Sequence, residues 1–590
     1  MKRLLMFLKD YKKETVLAPL FKLLEAFFEL MVPLVMAAII DRGISGPDTL
    51  FIWKMGAVLL ALGIVGLISA VTAQFFAAKA AVGFATKLRQ ALFAHIQSLS
   101  FTNIDRTGTE RLITRMTSDV NQVQNGVNMV LRLFLRSPII VFGAMIMAFT
   151  IDVKSALIFV VAIPVLAVIV FGILLVSLPL YKKVQTKLEK LLGITRENLT
   201  GVRVIRAFHQ EAEEEERFQE ENNTLANLQM YVGKISACMN PVTYIVVNAA
   251  LIALIYTGAV QVNVGNLTQG EVIAIINYMS QILVELIKLA NLIITITKAL
   301  ASADRVAAVL EVQENTTSVK TEDGVDGTET IADRQGRTSI DRSESKPYLI
   351  FDHVSLTYEG AGDKSLDNLN FSVNKGDTVG IIGGTGSGKS SLVNLIPGFY
   401  PATEGNIYLE GKNLKEISEQ ELRARIGIVP QKAVLFKGTI RSNLQWGKED
   451  ATEEEMWQAL EIAQAKEVVE AKDGMLDAEV TQSGKNLSGG QRQRLTIARA
   501  LVKKPEILIL DDSASALDYA TDARLRQALR GLGREITTFI VSQRASSIRH
   551  ADLIIVLDDG EVAGMGTHEE LLAGCEVYQE IYFSQYPDEK

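Results

Sequence analysis

Residues 383–390 read Gly383-Gly384-Thr385-Gly386-Ser387-Gly388-Lys389-Ser390, after an apolar run ending at Ile382 and before the helix-compatible Ser391-Leu392-Val393-Asn394-Leu395. The chemistry such a run can do is phosphate binding. Glycines let backbone N–H groups turn inward around phosphate oxygens, and a helix N-terminus adds positive potential. Lys389 then reaches the β and γ phosphates of a nucleotide such as ATP, and Ser390 ligates Mg2+. A second run, Ile507-Leu508-Ile509-Leu510-Asp511, is apolar and ends in a carboxylate, the arrangement that holds Mg2+ through water beside a phosphate loop.

These residues need strands that end together. Short apolar runs at 378–382, 507–510, 538–541 and 553–557 alternate with helical stretches, which predicts an α/β domain over 348–590. Residues 311–347 are polar and acidic, lack apolar periodicity, and are expected to form a linker. Upstream of it the composition changes. Mean hydropathy is +0.20 although 22% of residues are charged, so a membrane part accompanies a soluble one.

Uncharged runs at 55–78, 155–181 and 235–270 each exceed the roughly 20 residues that cross a bilayer. Weaker segments at 15–40, 137–151 and 272–297 join them, giving an all-α domain over 1–310 with six spans near 15–40, 55–78, 137–151, 155–181, 240–262 and 272–297. The stretches 79–136 and 182–234 are polar and free of proline; they read as helical cytoplasmic extensions. Lys2, Arg3, Lys9, Lys12 and Lys13 place the N-terminus in the cytoplasm, and an even count returns the C-terminus there. The first segment is too long and too charged for a cleaved signal peptide.

Composition also excludes. Sixty Lys plus Arg against 68 Asp plus Glu leave a formal charge of −8, which argues against a nucleic-acid binder relying on overall positive charge. Cys238 and Cys575 lack metal-ligand spacing, so neither a disulfide framework nor a zinc site is expected. The five histidines, His95, His209, His353, His550 and His568, are dispersed and read as surface or packing residues.

Leu487-Ser488-Gly489-Gly490-Gln491, followed by Arg492-Gln493-Arg494, separates this chain from ordinary phosphate-loop enzymes. With it the chain resembles the ABC transporters over nearly its whole length, in the arrangement of exporter half-transporters. The resemblance implies that Tyr358 stacks on adenine, that Gln431 lies near Mg2+, and that Ser515-Ala516-Leu517-Asp518 form the D-loop. It implies that Leu487 to Gln491 close over ATP held by a second ATPase domain. It further implies that regions 101–108 and 198–208 couple the ATPase domains to the spans. Two positions depart from the family. Asp512 stands where the general base is Glu, and Gln543, in Val541-Ser542-Gln543-Arg544, stands where the switch residue is His. A shorter carboxylate withdraws from the attacking water, and Gln543 can hydrogen-bond but cannot titrate. Both changes in one site resemble the degenerate site of heterodimeric bacterial exporters.

The expectation is an ATPase whose own site is impaired, paired in the cytoplasmic membrane with a half-transporter bearing the intact Glu and His, and exporting hydrophobic or amphiphilic drugs or lipids. Alternatives are a regulatory or gating subunit that binds ATP without transport, and a homodimeric lipid flippase. Lys22, Glu25 and Glu29 lie at i, i+3 and i+7 on one face of the first span, and Glu285 and Lys288 at i and i+3 in the last. Glu25, Glu29 and Glu285 are candidates for a substrate cavity that attracts cations; Lys–Glu pairs holding helices together are the competing expectation.

Overall fold

The computed structural model describes residues 4–46, 48–312 and 347–589; residues 313–346, most of the expected linker, lie outside them. Two compact units result, Met1–Gln97 with Gly108–Val312, and Ser98–Thr107 with Gln313–Lys590.

The first unit contains six rods long and apolar enough to cross a membrane: Leu4–Ile44, Thr49–Ser98, Thr109–Ile151, Val153–Ala207, Glu211–Asn263 and Gln269–Leu310. Rods of 41 to 55 residues are about 60–80 Å long at about 1.5 Å per residue. That is about twice a hydrocarbon core of about 30 Å, so each rod continues beyond the membrane. Their helices are α1 (Lys12–Ala38), α2 (Thr49–Ser98), α4 (Thr109–Thr114), α5 (Val120–Leu133), α6 (Arg136–Ile151), α7 (Val153–Ala207), α8 (Glu211–Ala237), α9 (Met239–Asn263) and α10 (Gln269–Leu310). A short helix, α3 (Phe101–Thr107), falls between α2 and α4 in the chain but belongs to the second unit. The third rod starts well before the uncharged run 137–151. Hydropathy alone does not extend it, because Arg115, Asp119, Arg132 and Arg136 interrupt the apolar pattern.

Small residues let the helices approach. Ala144, Ala148, Ala156 and Ala274 are fully buried around Phe159, Tyr278 and Ile282, the packing that operates where lipid gives helices no hydrophobic incentive to associate. The Tyr278 hydroxyl donates to the Leu30 carbonyl at 2.7 Å. At the start of α10, the Asp41 carboxylate accepts from the Thr268 hydroxyl at 2.6 Å and from the Gly270 N–H at 2.8 Å. It thereby satisfies a donor that the helix cannot satisfy itself.

Arg136 gathers the charges of three helices. Its guanidinium donates to Glu29 at 2.6 Å and to Glu285 at 2.7 Å, and its Nε lies 3.8 Å from Glu25. Lys22 donates to Glu25 at 2.5 Å, while Lys288 at 2.7 Å and the Ser137 hydroxyl at 2.8 Å donate to Glu285. Three cations thus meet three carboxylates. The Arg136 and Glu285 side chains are only 7% and 3% exposed, an environment that an unpaired charge cannot occupy cheaply. Glu29 precedes the end of its rod by 15 residues, Arg136 precedes Ile151 by 15, and Glu285 follows Gln269 by 16. At about 1.5 Å per residue, all three sit roughly 22–24 Å from the neighbouring rod ends.

The second unit is an α/β domain, as expected, with strands β1 (Leu349–Leu356), β2 (Leu366–Val373), β3 (Thr378–Gly383), β4 (Glu404–Leu409), β5 (Lys412–Asn413) and β6 (Ile426–Val429). The two-residue strands β7 (Gly438–Thr439) and β8 (Glu479–Val480) pair with each other, and β9 (Ile507–Asp511), β10 (Thr537–Val541), β11 (Leu553–Asp558) and β12 (Glu561–Gly566) complete the set. One sheet has the order β12-β11-β3-β10-β9-β6, parallel except at its β12 edge; an antiparallel sheet has the order β2-β1-β4-β5. Every residue of β9 and β10 is buried. That is why they read as unbroken apolar runs, the mark of a parallel sheet covered on both faces.

Replacing Arg136 by Met should leave Glu29 without its cation and Glu285 with only Lys288 and Ser137, and cost up to about 3–5 kcal/mol. The check is a lower thermal unfolding temperature for the detergent-solubilised chain, partly recovered when Glu285 is also replaced by Met.

Candidate functional site

Four parallel neighbours, β3, β10, β9 and β6, end at one edge of the sheet, where ligands of open α/β sheets bind. The register places Val541 opposite Ile381 and Asp511, and Val429 opposite Leu510. The residues that follow therefore converge: the phosphate loop after β3, Ser542-Gln543 after β10, Asp511-Asp512 at the end of β9, and Gln431 beyond β6. A cavity of about 580 Å³ opens there, walled among others by Lys389, Ser390, Gln431, Asp511, Asp512 and Gln543. Thr385, Gly386, Gly388 and Ser391 also face it.

The loop's glycines are required by geometry. Gly386 and Gly388 have φ of +89° and +91°, a left-handed region costly for residues with a Cβ. A Cβ on Gly383 would come within 2.1 Å of the Leu557 carbonyl oxygen. Helix α11 (Lys389–Leu395) starts directly after the loop. The Lys389 ammonium donates to the Gly383 carbonyl at 2.9 Å and the Gly384 carbonyl at 2.5 Å, and lies 3.4 Å from the Ser387 hydroxyl. Burial lowers its pKa from the usual lysine value, with the nearby Asp512 and Asp511 acting in the opposite sense.

The Ser390 hydroxyl donates to Asp511 Oδ1 at 3.0 Å, and burial pushes the Asp511 carboxyl above its usual pKa. A hard cation suits this pair of oxygens. Among the described residues no group of three or more His, Cys, Asp or Glu could form an all-protein cage. Bound there through Ser390, Gln431 and Asp511, Mg2+ would offset phosphate charge.

Asp512 sits at φ +45°, a strained region for a residue other than glycine. Its N–H donates to the Val541 carbonyl at 3.1 Å, and its own carbonyl accepts from the Ser515 hydroxyl at 2.8 Å. Burial raises its carboxyl, a hydrogen bond with Gln431 opposing. Gln543 lines the same cavity, while its carbonyl accepts from the Gln585 amide at 2.8 Å. Gln585 also accepts from the Ala545 N–H at 3.0 Å, so the α-helix Glu576–Gln585 ties down the loop on both sides of Arg544. The Arg544 guanidinium donates to the Leu517 carbonyl at 3.3 Å and stacks 4.7 Å from the Tyr519 ring centroid.

The signature residues stand apart from this cavity. Leu487 is buried, Ser488 caps the helix Gly489–Val502, and the Ser488 and Gln491 side chains bond reciprocally to each other's N–H. A Cβ on Gly490 would meet the Ala516 carbonyl at 3.2 Å, which puts the D-loop segment Ser515-Ala516-Leu517-Asp518 beside the signature. Asp518 caps the following helix by accepting from the Thr521 N–H at 2.9 Å. Tyr358 does not wall the cavity; its hydroxyl donates to Ser391, which does, at 3.0 Å. Region 101–107 forms α3 in this unit, whereas 198–208 is the end of α7 and the turn after it. Glu25, Glu29 and Glu285 are engaged by Arg136 in the first unit, a partner that sequence reading missed. Its signal was a lone Arg at the boundary of a weak span. Arg544 and Gln585 carry no local signal, because each acts on a segment distant in the chain.

Lys389 is the loop's single cation. Lys389→Met should weaken Mg-ATP binding by the worth of a charged hydrogen bond, about 1.5–3 kcal/mol or roughly 10- to 100-fold in Kd, read with a fluorescent ATP analogue.

Residues 15–286 match the family model for the ABC transporter transmembrane region, and residues 366–515 match the model for ABC transporter. An uncharacterized ABC transporter ATP-binding protein of Bacillus subtilis (strain 168), YfiB, is 36% identical over 587 residues, covering 99% of both chains. A putative multidrug export ATP-binding/permease protein of the same organism is 31% identical over 99% of both. An ATP-dependent lipid A-core flippase of Desulfotalea psychrophila (strain LSv54 / DSM 12343) is 34% identical over 84% of both. Among solved structures, that of a bacterial Atm1-family ABC exporter with ATP bound shares the fold, with a TM-score of 0.77 at 24% identity over 97% of this chain and 98% of that one. The six rods and the transmembrane match place the chain in the cell membrane, with its ATPase domain in the cytoplasm. This chain belongs to the ABC transporter family, as an exporter half-transporter with an N-terminal transmembrane domain and a C-terminal ATPase domain.

Proposed function

We propose that the chain is one half of a heterodimeric exporter of hydrophobic or amphiphilic compounds, drugs or lipids, and that its own ATP site hydrolyses slowly. The observation that carries this reading is that Asp512 and Gln543 wall the same cavity as Lys389, Ser390 and Asp511. In one site, then, the carboxylate is a methylene short and the switch side chain cannot take a proton.

Within that reading Tyr358 stacks on adenine, and Lys389 with the loop N–H groups holds the phosphates. Asp512 and Gln431 orient water weakly. Leu487 to Gln491 serve the ATP of a partner carrying Glu and His. ATP binding favours closure of the two ATPase domains and an outward-facing cavity, and hydrolysis at the partner's site resets it. The export class is supported by relatives named as multidrug exporter and lipid A-core flippase. The engagement of Glu25, Glu29 and Glu285 by Arg136 favours a packing role for these carboxylates over direct recognition of cations.

Purified alone, the chain should show little ATPase activity, and activity stimulated by amphiphilic drugs should appear on co-expression with a Glu- and His-bearing half. Asp512→Glu combined with Gln543→His should raise the rate of the chain alone by roughly 10- to 100-fold. Full activity of the unmodified chain alone would return a homodimer to first place. In the active pair, Glu29→Gln should leave export of cationic dyes within roughly twofold of the parent, as expected of a carboxylate spent on packing.

A further inference from the structure

We propose that Tyr400 is a positioning residue that reports a purine base stacked on Tyr358 to helix α3. The proposal rests on Tyr358 being the base-stacking aromatic.

Helix α3 is continuous in the chain with α2 and α4, yet it is part of the ATPase unit. Whatever holds it therefore acts, through the chain, on two helices of the other unit. Its Phe101 ring lies 4.4 Å from that of Phe399 and 6.3 Å from that of Tyr400. The Tyr400 hydroxyl donates to Asp105 Oδ2 at 2.5 Å, and Arg106 donates to Glu359 at 3.0 Å. The Tyr400 ring in turn stands edge-on to Tyr358, 5.0 Å between centroids at 87°. Two consecutive residues, Tyr358 and Glu359, thus reach two consecutive charges on α3, one through Tyr400 and one directly.

The two arms are unequal. Arg106 and Glu359 expose 70% and 53% of their side chains, and exposed pairs of this kind contribute little. Tyr400 is half-buried and also donates to an exposed carboxylate, but of the two arms it alone touches the Tyr358 ring, in an edge-on contact that depends on ring orientation. A base stacked on Tyr358 restricts that ring. The restriction sets the Tyr400 ring, which fixes the direction of its hydroxyl and holds Asp105. Phosphates alone would engage the loop at 383–390, whereas Tyr358 does not wall that cavity and reaches it only through its hydroxyl on Ser391. A ligand shifts an equilibrium only through contacts that differ between states, and here the base supplies that difference.

Hydrogen exchange of the full chain in detergent tests this, with Mg-ATP compared against Mg-tripolyphosphate. ATP should slow exchange over 98–107 by roughly fivefold, the worth of about one hydrogen bond. Tripolyphosphate should protect 383–391 while leaving 98–107 within roughly twofold of the ligand-free rate. Tyr400→Phe, which keeps the ring, should retain ATP protection at 383–391 and lose it at 98–107, and Asp105→Ala should do the same from the other side. Equal protection of 98–107 by tripolyphosphate overturns the proposal, as does Tyr400→Phe leaving that protection intact or weakening both regions together. If Tyr358→Ala leaves the ATP dependence at 383–391 unchanged, the base-stacking premise fails and the proposal falls with it. Failure of the relay alone looks different: Tyr358→Ala weakens ATP binding while Tyr400→Phe changes nothing.

Discussion

A triphosphate presents several negative charges to one small surface, and meeting them with backbone N–H groups demands a loop that a side chain would obstruct. Gly386 and Gly388 in left-handed conformations, and Gly383 against the Leu557 carbonyl, meet that demand. The loop works only where a buried strand delivers it and a helix continues it, because the helix N-terminus adds its own unpaired donors. The ATPase unit is arranged around this edge. Four parallel strands ending at one level bring to the loop the two carboxylates, the glutamine after β6 and the residue after β10. None of these could find it by local sequence.

The membrane unit obeys a related constraint with the opposite solution. In the ATPase unit Lys389 lies against carbonyl oxygens within reach of the cavity. Arg136 instead closes an ion network whose charges balance, because a charge left over among packed membrane helices has neither water nor counterion. The three glutamates of two different helices lie within this one network.

The expectations that rested on contiguous runs and those that rested on distant residues fared differently. The six apolar rods, the alternation of strands and helices, and the phosphate loop between a strand and a helix were legible, since each is written in neighbouring residues. The third rod was legible only in its uncharged part. The charges at Arg115, Asp119, Arg132 and Arg136 hide its continuation, although Arg136 is paired with residues as far away in the chain as Glu285.

The chemistry the chain can hold is written in neighbouring residues: glycines that admit phosphate, a lysine and a serine at the start of a helix, a carboxylate closing a buried strand, and a signature run placed elsewhere. These are properties of residue type and short spacing, and backbone sterics alone make them meaningful. It took the fold to bring Asp512 and Gln543 to one cavity, Gln585 to the loop carrying Gln543, Arg136 to three glutamates, and Tyr400 to both Tyr358 and Asp105. Such pairings join residues tens to hundreds of positions apart. The hydrogen bonds and ring contacts that make them act over a few ångströms, and only the folded chain brings the groups that close.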